Sequence, residues 1–181
     1  MEPWIETYTQ KRFNIFNFTR DDISLLDIAH SLALQCRYNG HCKKFYSVAE
    51  HSCLMSSYVY VIHGRPAGLY ALLHDASEAY LCDLPRPIKP HLKEYYQIES
   101  RIQEAIEQKY VGKIPNAVRA YIKVLDSRIL LDEKAVLMGN NIPWNLPGQP
   151  LNVEIKNWDW RKAEMEFLKQ FGLLMAPGGA K

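Results

Sequence analysis

The chain has 181 residues, enough for one domain with a full hydrophobic core. Hydrophobic residues make up 48% and charged residues 23%, the balance of a soluble globular protein rather than a disordered or membrane-embedded one. A net charge of +2 is too near neutral to argue for a nucleic-acid or membrane-surface partner, though it leaves a small anionic ligand open.

The start, Met1-Glu2-Pro3-Trp4-Ile5-Glu6, has no basic segment followed by an apolar one, so no secretory signal is expected there. No apolar run approaches the length of a membrane span. Cys36, Cys42, Cys53 and Cys82 contain no CxxC pair, and reduced thiols in a cytoplasmic setting are expected.

Residues 1 to about 23 read as polar, aromatic and irregular. Ser24 with Asp27 resembles a capping box, and Leu26, Ala29, Leu32, Ala33 and Cys36 give the following helix an apolar face, with Asn39-Gly40 as its stop. Ser47 and Glu50 form a full Ser-x-x-Glu box. The helix after them runs to Gly64. Pro66 then opens a third helix, predicted to carry Leu69, Leu72, His74, Asp75 and Glu78.

Pro85, Pro87 and Pro90 make 83–90 a loop. Helices are predicted over about 91–110, 116–138 and 159–171, with 140–157 an irregular excursion. Strand-like alternation is scarce. The expected architecture is all-α, a single compact bundle of about six helices spanning 1–181.

Four side chains sit on otherwise apolar predicted helices: His51, the adjacent His74 and Asp75, and Asp126. A charged carboxylate in such surroundings needs a partner or a metal. A His–Asp ion pair between packed helices is the plainer reading of any one of them. Together, two imidazoles and two carboxylates form a mixed nitrogen and oxygen shell. That shell suits Mn, Fe, Co, Ni or Zn better than Mg or Ca. On a helix, His74 and Asp75 would lie about 100° apart, both within reach of one ion beside the axis.

Glu78, one turn further along the same predicted helix face, could take a proton from an attacking water, or it could be a solvated surface residue. Asp83 opens the proline-rich loop and could protonate a leaving alkoxide, or simply end a turn. Arg37 offers a planar fork for two phosphate oxygens, and His41 closes the same turn. Lys43, Lys44, Arg86 and Lys89 add charge in predicted loops, where exposed cations are the ordinary case.

The order His51 … His74-Asp75 … Asp126 resembles the pattern of the HD-domain phosphohydrolases. Cys36-Arg37-Tyr38-Asn39-Gly40-His41, Tyr46-Ser47-Val48-Ala49-Glu50-His51-Ser52, Leu73-His74-Asp75-Ala76-Ser77-Glu78-Ala79-Tyr80 and Asp83-Leu84-Pro85-Arg86-Pro87-Ile88-Lys89 are similar to the branch containing bacterial 5′-deoxynucleotidases. The resemblance covers about residues 12–138.

It implies that His51, His74, Asp75 and Asp126 bind a divalent metal, Glu78 handles the water, Asp83 protonates the leaving group and Arg37 holds phosphate. His41, Lys44, Arg86 and Lys89 are further candidate substrate contacts. The implied reaction converts a deoxynucleoside monophosphate to a deoxynucleoside and phosphate, in a cytoplasmic homo-oligomer. Viral members of the same branch, working in the host cytoplasm, release intact triphosphate from dATP. For that substrate Mg is a further candidate ion, and the four loop cations are candidates for the longer phosphate tail. A catalytically silent nucleotide-binding regulator is the remaining alternative. Segment 140–157, with Trp144, and the N-terminal aromatics Trp4, Tyr8, Phe13, Phe16 and Phe18 fall outside the resemblance. They are read first as satellite packing, and otherwise as a base pocket or an oligomer contact.

Overall fold

The computed structural model describes residues 2–139 and 141–176. The architecture is mostly helical. A short antiparallel hairpin, β1 (Trp4–Glu6) and β2 (Arg12–Asn14), precedes α1 (Leu25–Leu34), α2 (Val48–Leu72), α3 (Lys93–Tyr110), α4 (Asn116–Leu137) and α5 (Trp160–Met175). Among the described residues no helix is long and apolar enough to cross a membrane.

The hairpin corrects the reading of 1–23 as irregular. Its strands are three residues each, too short for alternation to register. They pair Ile5 with Phe13, and Phe13 turns wholly inward to stack on Tyr80 at 4.1 Å and Phe18 at 5.1 Å. Packing is therefore the role of these two N-terminal aromatics.

Both predicted caps form. The Ser24 hydroxyl accepts from the Asp27 N–H, and the Ser47 hydroxyl accepts from the Glu50 N–H. The acids of the two boxes do not return the bond. Asp27 instead accepts from the N–H and hydroxyl of Thr9, at 2.7 and 2.9 Å, and so ties the hairpin turn to α1. Glu50 accepts from the N–H groups of Lys156, Asn157 and Trp158, at 2.8, 3.0 and 2.7 Å. Asp132 adds bonds from the Leu151 and Val153 N–H groups, and Arg128 donates to Gln149 O at 2.7 Å. The excursion before α5 is thus strapped down by buried carboxylates, and Leu151 enters the core. Replacing Glu50 with alanine should cost about 2–4 kcal/mol, because three half-buried N–H groups lose a charged acceptor. A shift of the urea midpoint measures it.

Helix α1 stops at Leu34, short of the predicted Asn39-Gly40. Residues 37–40 form a separate 3-10 turn with Tyr38, Asn39 and Gly40 all at positive φ. The predicted second and third helices both form, as two arms of α2 separated at Gly64 (φ 75°, ψ −171°). The two arms fold back on each other. The Ser56 hydroxyl donates to Gly68 O at 2.7 Å, although twelve helical residues would span about 18 Å. A Cβ on Gly68 would lie 3.0 Å from Tyr60 Cβ, so glycine permits the close approach.

Among the described residues five α-helices stand, α2 in two arms, against the about six expected. Two apolar clusters fill the interior. One joins α1, α2, α3 and α5 around Leu32, Leu72, Ile102 and Phe167. The other joins α2 to α4 through Met55, Val59, Ala71, Ile122, Leu125 and Ile129. The α2–α4 seam carries the site.

Candidate metal centre

Helix α2 ends at Leu72, so His74 and Asp75 lie in the turn that follows and Glu78 in a 3-10 turn, Ala76–Tyr80. The helix-face argument for these three residues fails. They converge because the chain turns there.

His51 lies one turn inside α2, fully buried, and Asp126 lies in the middle of α4. Four donor atoms meet. His51 Nε2 is 3.4 Å from His74 Nε2, 3.3 Å from Asp126 Oδ1 and 3.7 Å from Asp75 Oδ2. His74 Nε2 is 3.2 Å from Asp75 Oδ2 and 3.8 Å from Asp126 Oδ1. A metal held at about 2.1 Å by each donor sets neighbouring donors roughly 3.0–3.4 Å apart, close to these spacings. His51, His74 and Asp126 could hold a metal ion, and Asp75 Oδ2 lies beside both imidazoles.

Both imidazoles are oriented for this. His74 Nδ1 donates to Ala71 O at 2.7 Å, a carbonyl freed where α2 ends. His51 Nδ1 donates to Glu133 Oε1 at 2.6 Å. Each partner is acceptor-only, so the proton sits on Nδ1 and each Nε2 faces the centre.

Glu133 was missed by the sequence reading. It is fully buried on α4, seven residues after Asp126, and so lies on the same helix face. Besides His51 it binds the Tyr46 hydroxyl at 3.0 Å, the Tyr38 hydroxyl and Arg37 Nη2 at 3.3 Å. Burial works against its charge, but Arg37 and His51 hold the carboxyl below the ordinary range. The i, i+7 spacing from Asp126 was the available signal. Changing Glu133 to glutamine should weaken metal binding by roughly 10- to 100-fold, the usual cost of losing the support behind a ligating histidine. Competition with a fluorescent chelator measures the change.

In the metal-free state the cluster pairs within itself. Burial opposes charge on each member. Even so, hydrogen bonds from His51 and His74 hold the Asp126 carboxyl well below its usual range, and Asp75 holds the His74 imidazolium well above. His51 is raised too, chiefly by Glu133 against burial and Arg37. A raised pKa favours the protonated imidazole, and a ligand imidazole must be neutral. Metal uptake at pH 7 should therefore release protons, and affinity should climb with pH until both imidazoles are neutral. Calorimetry in buffers of different ionisation enthalpy measures the release.

The other predicted residues divide. Arg37 is buried, 3.6 Å from Asp75 Oδ2, and its Nε has no hydrogen-bond partner. Glu78 is buried. Its Oε1 accepts from Lys89 at 2.8 Å and its Oε2 has no partner among the described residues. Burial, then the Asp75 and Asp83 charges, pushes the Glu78 carboxyl up. Burial likewise raises Asp83, with Arg37 opposing. Arg86 donates to Asp126 Oδ2 at 2.6 Å and to the Ser127 hydroxyl at 3.1 Å.

Lys89, expected to contact substrate, is held between Glu78 and Glu99. Lys44 lines a separate cavity of about 390 Å³ with Phe45, Trp158 and Trp160. His41 is exposed, with its N–H bonded to Tyr38 O. Trp144 packs against Tyr38 with ring centres 5.6 Å apart, so the excursion reaches the Arg37 turn. A second cavity, about 260 Å³, adjoins His74 and Asp126 and is lined by Tyr70, Arg119, Ile122 and Lys123.

No family model matches the chain. It is 37% identical to the uncharacterized protein YfdR of Escherichia coli (strain K12) over 131 residues, covering 72% of this chain and 70% of that relative. It is 33% identical to the uncharacterized protein RCAP_rcc00048 of Rhodobacter capsulatus over 132 residues, covering 68% of this chain and 67% of that relative. The chain belongs to the family that includes YfdR and RCAP_rcc00048.

Proposed function

We propose that the protein is a metal-dependent phosphohydrolase of the HD-domain type, cleaving the 5′-phosphate ester of a deoxynucleotide. The observation that carries this reading is the convergence of His51, His74 and Asp126, with Asp75 Oδ2 within 3.7 Å of both imidazoles and both histidines oriented from behind. The donor set fits Mn, Fe, Co, Ni or Zn. Such an ion supplies positive charge for phosphate oxygens and acidity for a coordinated water.

The chain's own groups divide the remaining work. Arg37, fixed by Glu133, presents a guanidinium beside Asp75 for a phosphate oxygen. Glu78, through its unpartnered Oε2, accepts a proton from the attacking water. Asp83 gives a proton to the departing 5′-oxygen. Water adds to phosphorus and the ester oxygen leaves as an alcohol, so ester and water become deoxynucleoside and phosphate.

A second reading has one observation in its favour. Arg119 and Lys123 flank the cavity beside His74 and Asp126, and Arg86 stands on Asp126 itself. These cations suit a longer phosphate tail, as in a deoxynucleoside triphosphate triphosphohydrolase. They replace Lys43, Lys44 and Lys89 as the candidates for that role. Ion-exchange separation of the products decides. Single phosphate from a deoxynucleoside monophosphate supports the first reading, and intact triphosphate from a deoxynucleoside triphosphate supports the second. Neither product with any metal defeats both and leaves a silent nucleotide-binding domain.

A further inference from the structure

Cys36 and Cys42 bracket the turn that carries Arg37 and Tyr38, and their Sγ atoms lie 3.5 Å apart. Both are half-buried free thiols, while Cys53 is buried and Cys82 is exposed. The backbone pins both ends of the turn. Cys36 bridges to Ser47, the Arg37 N–H donates to Tyr46 O at 2.9 Å, and the Lys43 N–H donates to Leu137 O at 2.9 Å. Between these anchors Tyr38, Asn39 and Gly40 run at φ 59°, 51° and 74°, a left-handed stretch that doubles the chain back and brings the two thiols together.

We propose that Cys36 and Cys42 are an oxidative modification site, a dithiol that a hydroperoxide closes into an intramolecular disulfide across the Arg37 turn. A disulfide needs sulfurs about 2.0 Å apart, so they must approach by about 1.5 Å. Side-chain rotation with a small shift of the turn supplies that. The peroxide oxidises one thiol to a sulfenic acid and is reduced to water or an alcohol. The second thiol attacks that sulfur, expelling a second water, and the S–S bond forms. Two electrons pass from the thiols to the peroxide. A small dithiol reverses the change by exchange.

Burial, with Cys36 next to it, pushes the Cys42 thiol up, so the geometry of the turn and not an unusually acidic thiol carries the pairing. The strap matters because of what it encloses. Arg37 contacts Glu133 and Asp75, and Tyr38 contacts Glu133, so drawing 36 and 42 together moves the groups that stand behind His51 and beside Asp75.

Trypsin separates the two cysteines, placing Cys36 on Asp21–Arg37 and Cys42 on Tyr38–Lys43. The intact protein is treated with limiting hydrogen peroxide, alkylated, digested and mapped. The expected result is these two peptides joined, lighter than their sum by two hydrogens and released by dithiothreitol. Changing Cys42 to serine should remove the joined species, and changing Cys82 to serine should leave it. Recovery of both Cys36 and Cys42 as alkylated free thiols, while Cys82 is oxidised or links two chains, overturns the site. If a variant misfolds, the wild-type map alone decides.

One consequence rests on the hydrolase reading. Turnover should fall by up to about 10²-fold on oxidation, the cost of a displacement of about 1 Å at a positioned group, and return with dithiothreitol. The peptide map does not depend on that reading, so the two can fail separately.

Discussion

Asp75→Ala is expected to lose the metal and nearly all turnover. Its Oδ2 stands 3.2 Å from His74 Nε2 and 3.7 Å from His51 Nε2, and its charge helps to hold Arg37 at 3.6 Å. Alanine leaves three donors and an open edge. The loss in affinity should exceed the roughly 10- to 100-fold of a lost supporting bond, because a ligand itself is gone. Metal analysis after gel filtration, with circular dichroism to show that the helices persist, measures it. Full occupancy in the variant would remove Asp75 from the ligand set.

Glu78→Gln should separate chemistry from metal binding. Glutamine keeps an oxygen for Lys89 and the shape of the 3-10 turn, but it cannot accept a proton. The metal should stay while turnover drops by roughly 10²- to 10⁴-fold, the range for a lost acid–base group. A variant with normal turnover would leave Glu78 as a counter-ion for Lys89 and nothing more.

The sequence disclosed the parts of this site better than their arrangement. The Ser24 and Ser47 signals placed two helix starts, because capping chemistry is local. His51 and Asp126 sat on helices as expected. His74, Asp75 and Glu78 come together through a turn, not along the helix face the sequence suggested. The apolar period through Leu69 and Leu72 looks the same whether the helix continues or stops, and here it stops at Leu72.

Gly64 marked a break, but the fold-back that brings Gly68 against Tyr60 depends on packing far along the chain. Glu133 stayed hidden because a glutamate on a helix is ordinarily solvated. Only the fold reveals that Arg37, Tyr38, Tyr46 and His51 all converge on it. Lys89 shows the converse. A loop lysine reads as a candidate substrate contact, yet the buried Glu78 and the half-buried Glu99 already hold it.

The most direct test of the central claim is turnover as a function of metal. Chelator-stripped protein, reloaded with Mn, Co or Zn, is given a deoxynucleoside monophosphate and, separately, a deoxynucleoside triphosphate. The account predicts no release of deoxynucleoside without metal and catalytic release with at least one ion, with that activity lost in Asp75→Ala. Nucleotide that binds tightly to the loaded protein and is recovered intact with every ion would contradict it.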